Sequence, residues 1–259
     1  MSCVVPEEEE VVVSSEVQVG ASSTEYWWWQ EDPFLASIDG DGDLEVPRRR
    51  KKSVVVEHAS GATSLSRVGL QVWRGALVLC DWLLSTEIKG LKVLELGSGT
   101  GLAALVASRQ GAQVTATDGI DDILKLAKQN VRRNGAAIRI EKLDWLTFDE
   151  KDDDDLKGES FDLILAADCV YDDDLTEALF EVLRHYLRHD AAVAVVSLEL
   201  RFNFEVESLS VQAHGYRRFR DLSDTFFEAT RLHLPAQRLQ QYHRHGATFE
   251  LWQLTTKTK

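Results

Sequence analysis

From about Val54 onward, short apolar runs alternate with segments whose apolar residues recur every three or four positions. The longer period predicts helices over residues 68–84, with Val72, Ala76, Leu79 and Leu83 on one face, and over 102–110, 121–134 and 175–188. In the third segment Ile123, Leu124, Ala127 and Val131 form the apolar stripe. The runs between predict strands over 91–96, 113–117, 137–141, 161–167 and 191–198. Gly111 and Gly135 stand where two of the helices should stop. A further helix around 207–217 and a terminal strand near 248–254 complete the pattern. Strand and helix alternating at this spacing imply a parallel sheet covered on both faces, with right-handed crossovers. Ligands in such sheets sit beyond the C-terminal strand ends, so chemistry is expected in the loops that follow the strands.

Residues 1–52 break this rhythm. They hold an acidic run at Glu7–Glu10, a polar glycine-rich stretch at 39–43 and five consecutive basic residues at 48–52. The expected division is an acidic, largely disordered region over 1–52, with a short strand near 11–19, and a folded domain over 53–259. Trp27, Trp28 and Trp29 are adjacent, so they cannot share one face of a helix or strand. The basic block reads either as a nuclear import signal or as a solvated linker.

Composition narrows the class. A chain of 259 residues with 44% apolar content can bury a full core. No apolar stretch reaches the ~18–20 residues of a membrane span, and the acidic start lacks an export-signal pattern. Cys3, Cys80 and Cys169 are too few and too scattered for a disulfide framework or a zinc site. A reducing compartment follows. The net charge of −14 repels nucleic acid, so no direct nucleic-acid binding is expected, and it favours basic partners.

The candidate chemistry starts at Glu95-Leu96-Gly97-Ser98-Gly99-Thr100-Gly101, directly after the first strand of the alternating pattern. Glycines at every second position let backbone turn sharply and approach a ligand closely. No lysine follows Gly101, which rules out a P-loop, and Leu102 stands where a dinucleotide fingerprint needs its third glycine. The remaining pattern suits S-adenosyl-L-methionine, a ligand without a pyrophosphate and with an ammonium and a sulfonium that an acid such as Glu95 would favour. Asp118 ends the second strand, 21 residues after Gly97, where a carboxylate can accept ribose hydroxyls. It also reads as a turn residue before Gly119. Trp145, after the third strand, and Trp73, before the first, each read as a cofactor contact or as a core residue.

The acceptor end follows the fourth strand, at Ala167-Asp168-Cys169-Val170-Tyr171. Asp168 at the strand tip can attract and orient a lysine ammonium, and Tyr171 offers an aromatic face for a cation. The competing role for Asp168 is capping the next helix, although Asp172–Asp174 are better placed for that. An Asn-Pro-Pro-Tyr signature, common in enzymes that methylate planar nitrogens, is absent, which disfavours an adenine or glutamine acceptor. His185 and His189, four apart, lack a third ligand and are expected to face solvent, so no metal site is expected.

Together the stretch from Glu95 to Asp118, Leu143-Asp144-Trp145, the Ala167–Tyr171 motif, the run from Val68 to Leu77, Tyr171–Thr176 and Arg201-Phe202-Asn203-Phe204 resemble the seven-β-strand protein lysine methyltransferases of family 16. The resemblance implies an α/β, Rossmann-like class I S-adenosylmethionine-dependent methyltransferase fold, a mostly parallel seven-stranded sheet with helices on both faces. It makes 53–259 a methyltransferase domain that acts as a monomer on a lysine. Its implied substrate is a nucleic-acid-associated nuclear protein such as the DNA- and RNA-binding protein Kin, with chaperones as further partners. The implied location is the nucleus, with the cytoplasm as a second compartment. Trp73, Glu95, Gly97, Ser98, Gly99, Asp118, Trp145 and Ala167 would line the cofactor, while Asp168 and Tyr171 would meet the substrate lysine.

Overall fold

The computed structural model describes residues 21–30, 37–38, 44–45, 50–61, 63–149, 156, 158–188, 192–200, 203–205, 210–212, 214–244 and 248–257. The strand expected near 11–19, most of the acidic loop at 149–158, His189 and the Arg201-Phe202 pair lie outside them. The described chain begins with an antiparallel hairpin of β1 (Ala21–Gln30) and β2 (Arg50–Ala59). The alternating region supplies β3 (Lys92–Leu96), β4 (Gln113–Asp118), β5 (Ile138–Lys142), β6 (Leu163–Ala167) and β7 (Val193–Leu200). After these come β8 (Phe227–Leu232) and β9 (Thr248–Thr256). The helices are α1 (Arg74–Leu83), α2 (Leu102–Arg109), α3 (Asp121–Arg133), α4 (Asp173–Tyr186) and α5 (His214–Phe226).

Seven strands form one sheet in the order β8-β9-β7-β6-β3-β4-β5. The five strands from β3 to β7 are parallel, and β9 runs antiparallel to both β7 and β8. The mostly parallel, seven-stranded sheet expected from the sequence is therefore present. Alternation along β3 shows how it is filled. Val93 belongs to the core beneath α1, α2, α3 and the hairpin, while Leu94 and Leu96 belong to the core beneath α4. Both faces of the central strands are dry, which is why these strands read as apolar runs. Helix α3 is built for its place. Ile123, Leu124, Ala127 and Val131 are buried, Asp121 and Asp122 sit at its N-terminus, and Arg132 and Arg133 sit at its C-terminus, matching the helix dipole.

The expected boundary at residue 52 falls inside β2, and residues 21–30 belong to the folded unit. Strand alternation explains the tryptophan triplet. Tyr26 and Trp28 enter the core with Val54 and Val56, while Trp27 and Trp29 point the other way and stack edge to face at 5.6 Å. Lys51 lies over Trp27 and pairs with Glu25.

The single helix expected over 68–84 is broken. A 3-10 turn spans Leu65–Leu70, Gln71 and Trp73 are extended, and α1 starts only at Arg74. The Trp73 indole turns back and donates Nε1–H to the Val68 carbonyl at 2.8 Å, while Gln71 reaches the Gly61 carbonyl at 2.6 Å. The first of these bonds gives the Val68 carbonyl a donor where the break gives up a helical one. Further along, the helix expected at 207–217 lies at His214–Phe226, where Phe219 packs edge to face against Phe180. His185 is also not at the surface, as expected, but buried against Phe148 and Tyr186.

Candidate functional site

The sheet order reverses between β3 and β6, and the loops leaving β3, β4, β5 and β6 meet there. They enclose a cavity of about 680 Å³ at the C-terminal strand ends. All ten residues singled out from the sequence line it, from Trp73 and Glu95 to Asp168 and Tyr171. The volume is in the range of ligand sites, roughly 300–1,000 Å³.

The glycine loop forms the floor. Gly97 and Gly99 have φ of +63° and +53°, in the left-handed region that side chains disfavour. They are also crowded. A Cβ on Gly97 would stand 2.9 Å from Cys169 Sγ and 3.0 Å from the Trp145 ring, and one on Gly99 would stand 3.0 Å from the Gly69 carbonyl. The loop is tied by Ser98 N–H to the Thr117 carbonyl at 2.8 Å and by Gly101 N–H to the Ser98 carbonyl at 2.8 Å.

Two buried acids sit beside it. Glu95 Oε2 accepts from Ala104 N–H at 2.9 Å, inside the first turn of α2. Asp118 accepts from Gly99 N–H at 3.1 Å through one oxygen and from Ile120 N–H at 3.2 Å through the other. Asp118 thus fulfils its turn role while also lining the cavity. Neither acid forms an ion pair among the described residues. Burial pushes the Glu95 carboxyl up to about 8, opposed by the Ala104 amide and reinforced by Asp118. Burial raises Asp118 as well. Ionising these buried acids without a cation is costly, and a cationic ligand offsets that cost.

The wall holds further unspent polarity. Ser98 Oγ and Trp145 Nε1 are buried with no hydrogen-bond partner among the described residues. Asp144 caps the short turn Trp145–Thr147 through Leu146 N–H at 3.1 Å, which fixes the indole in the wall. Ile120 and Leu146 are 44% and 61% exposed at the rim. Neither they nor Ile123, which the sequence places only on the apolar stripe of α3, were among the expected site residues. Large apolar residues just past the strand ends were the available signal.

Asp168 stands at the cavity wall beside the tip of β6. It neither caps α4, a task done by Asp172 through Leu175 N–H at 3.0 Å, nor projects as a loose carboxylate. Its oxygens accept from Gly75 N–H at 2.6 Å, in the first turn of α1, and from Glu199 N–H at 2.8 Å, on β7. Its own N–H donates to the Ser197 carbonyl at 2.8 Å, and Ser197 Oγ donates to the Gly75 carbonyl at 2.9 Å. Asp168 has φ of +53°, so this closed ring of bonds holds a strained residue at the cavity wall. Tyr171 is 39% exposed at the mouth, and burial of the remainder pushes its phenol up to about 12. Cys169 is fully enclosed and its thiol is pushed well up, so it is a packing residue rather than a nucleophile.

The residues present fit S-adenosyl-L-methionine, with buried acids for its cationic part, a glycine floor for close approach, and orphaned donors with apolar rim residues for a purine. Comparison with known proteins agrees. The family model described as "Lysine methyltransferase" matches residues 56–213. Methyltransferase-like protein 22 of Mus musculus is 37% identical over 207 residues, covering 71% of this chain and 52% of that protein. Protein N-lysine methyltransferase METTL21A of Danio rerio is 33% identical over 181 residues, covering 61% of this chain and 80% of that protein. An O-methyltransferase from Bacillus cereus solved in complex with SAH shares the fold, with a TM-score of 0.52 at 18% identity over 72% of this chain and 83% of that one. The chain spans about half the length of the methyltransferase-like protein 22 relatives. Sheet order, glycine floor and matched residues lead to one conclusion: this chain belongs to the lysine methyltransferase family.

Proposed function

We propose that the chain is an S-adenosyl-L-methionine-dependent protein-lysine N-methyltransferase. The observation that carries this reading is the buried pair Glu95 and Asp118, without ion pairs among the described residues, in a glycine-floored cavity that opens past Asp168 and Tyr171. When bound, S-adenosyl-L-methionine supplies a methyl group activated by its sulfonium. Glu95 and Asp118 hold the cationic and hydroxyl parts, Trp73 and Trp145 wall the site, and Ala167 lies at the tip of β6 beside the acceptor. Asp168 presents a fixed negative charge that draws the lysine side chain in, and the neutral Tyr171 ring gives it an aromatic face.

A lysine amine is neutral in only about one molecule in a few thousand at pH 7, and only the neutral form has a lone pair to give. Residues at the mouth therefore raise the rate by alignment and by allowing the proton to leave. The methyl-transfer roles of Asp168 and Tyr171 are part of the proposal. Its substrate, by the sequence resemblance, is a nuclear nucleic-acid-associated protein such as Kin, met by a monomer in the nucleus, with chaperones as further partners.

The test is incubation of the full chain with methyl-labelled S-adenosyl-L-methionine and a nuclear protein fraction, followed by mass spectrometry of the labelled residues. Label on lysine is expected. Tyr171→Ala should lower it at least tenfold with cofactor affinity retained, and Tyr171→Phe should keep most of it. Label confined to nucleic acid or small molecules would overturn the lysine assignment, and no cofactor binding would overturn the enzyme reading altogether.

A further inference from the structure

One side chain bridges the hairpin and the cofactor loop. Asn130 lies on the third turn of α3 and is fully buried. Its Oδ1 accepts from Glu57 N–H on β2 at 2.8 Å. Its Nδ2 donates to the Glu57 carbonyl at 3.0 Å and to the Thr100 carbonyl at 2.9 Å. Thr100 sits between Gly99 and Gly101, whose φ values are +53° and +80°. That carbonyl is flanked by two left-handed glycines, and a side chain fixed by a strand holds it. The nearby Gly99 N–H is one of the amides that Asp118 accepts from, so a shift of Thr100 is felt at Asp118.

Asn134, one turn on at the C-terminal cap of α3, is an internal control. Its Oδ1 accepts from Val55 N–H at 2.8 Å, and its Nδ2 donates to the Val55 carbonyl at 2.7 Å and to the Asn130 carbonyl at 2.8 Å. It grips the same strand in the same way but makes no bond to the glycine loop. The family match begins at residue 56, so β1 and the first half of β2 precede it.

We propose that Asn130 is a positioning residue for the cofactor loop, through which the hairpin β1–β2 sets the shape of the glycine floor. The proposal rests on the reading of the cavity as the cofactor's. Asn130 transmits the placement of β2 to Thr100 and from there to Gly99 and Asp118. Its role is distinct from docking the hairpin, which Asn134 shares.

The full chain and its Asn130→Ala, Asn130→Asp and Asn134→Ala variants are compared by thermal unfolding and by calorimetric titration with S-adenosyl-L-methionine. Asn130→Asp keeps the acceptor for Glu57 N–H and loses the donors to the Glu57 and Thr100 carbonyls. All three should melt below wild type. Only the two Asn130 variants should bind the cofactor roughly tenfold more weakly, equivalent to ~1.4 kcal/mol. In turnover they should raise the KM for S-adenosyl-L-methionine by a similar factor and leave kcat within about twofold. Asn130 variants that bind as tightly as wild type, or no more weakly than Asn134→Ala, overturn the proposal. Wild-type protein that binds no S-adenosyl-L-methionine overturns the cofactor reading instead.

Discussion

Gly75→Ala should destabilise this protein although it places a better helix former inside a helix. The ordinary expectation for glycine to alanine in α1 is a gain of about 1 kcal/mol. The new Cβ, however, would stand 2.6 Å from Asp168 Cγ and 2.7 Å from each of its oxygens, against ~3.5 Å for comfortable contact. The carboxylate must retreat by nearly 1 Å. It is pinned by amides at 2.6 and 2.8 Å, charge-assisted bonds worth roughly 1.5–3 kcal/mol each. Losing one such bond with the accompanying overpacking costs about 3 kcal/mol, leaving a net loss of about 2 kcal/mol. In a domain of this size that lowers the melting midpoint by about 4–8 °C. The decisive measurement is the same substitution in an Asp168→Gly background, where the clashing carboxylate is gone and the +53° backbone suits glycine. There Gly75→Ala should raise stability by up to ~1 kcal/mol, a reversal of sign with a coupling of about 3 kcal/mol. An equal loss in both backgrounds, or a Gly75→Ala protein that melts at or above wild type, would refute the reasoning.

Glu95 gives a pH dependence. Its folded-state carboxyl titrates near 8 against an ordinary 4.5, so the folded protein holds a proton that the unfolded chain has lost. Stability contributed by this group is full below about 4.5 and declines as pH rises to about 8, with a slope of at most ~1.4 kcal/mol per pH unit. Glu95→Gln should flatten that decline in denaturant melts recorded between pH 5 and about 8, and a slope unchanged by the substitution would contradict the assignment. Asp81, buried on α1, accepts from Arg238 N–H at 2.7 Å and Leu239 N–H at 2.6 Å and also binds Tyr242 and Arg244. Asp81→Ala strands these donors and should cost about 3–5 kcal/mol in unfolding free energy, and a cost under about 1 kcal/mol would show that the cluster is not a tie between α1 and the loop before β9.

The alternating region was legible because its periodicity is local. Strand and helix starts at Gln113 and Leu102 were read to the residue, and the strands β3 to β7 to within two. The cavity lining was legible for the same reason, since glycines, acids and aromatics at strand ends announce themselves by position. Three things were hidden. The period of three to four runs straight through Val72 and Ala76, so nothing signals that Trp73 bends back to Val68 and breaks the helix. Strand β8, Phe227–Leu232, follows α5 without a turn signal, and its pairing with β9 decides its form. The commitments of Asp168 involve residues 93 positions before it and 31 after it, and no local pattern carries information over such distances. The hairpin stood between these cases. Alternation at Tyr26, Trp28, Val54 and Val56 was present, but the neighbouring outward tryptophans masked it.

The asparagine pair on α3 and its C-terminal cap also decides what the hairpin can join. A two-stranded ribbon normally offers two open rows of amides and carbonyls, each a template for a strand from another chain. Along β2, the outward N–H and C=O groups of Val55 and Glu57 are taken by Asn134 and Asn130, whose carboxamides imitate a neighbouring peptide. On β1 the Trp27 carbonyl accepts from Gln240 N–H at 2.8 Å. With both rims engaged by its own chain, this tryptophan-rich ribbon is closed to strand addition at those positions, and a partner that meets it there must do so through the Trp27 and Trp29 face.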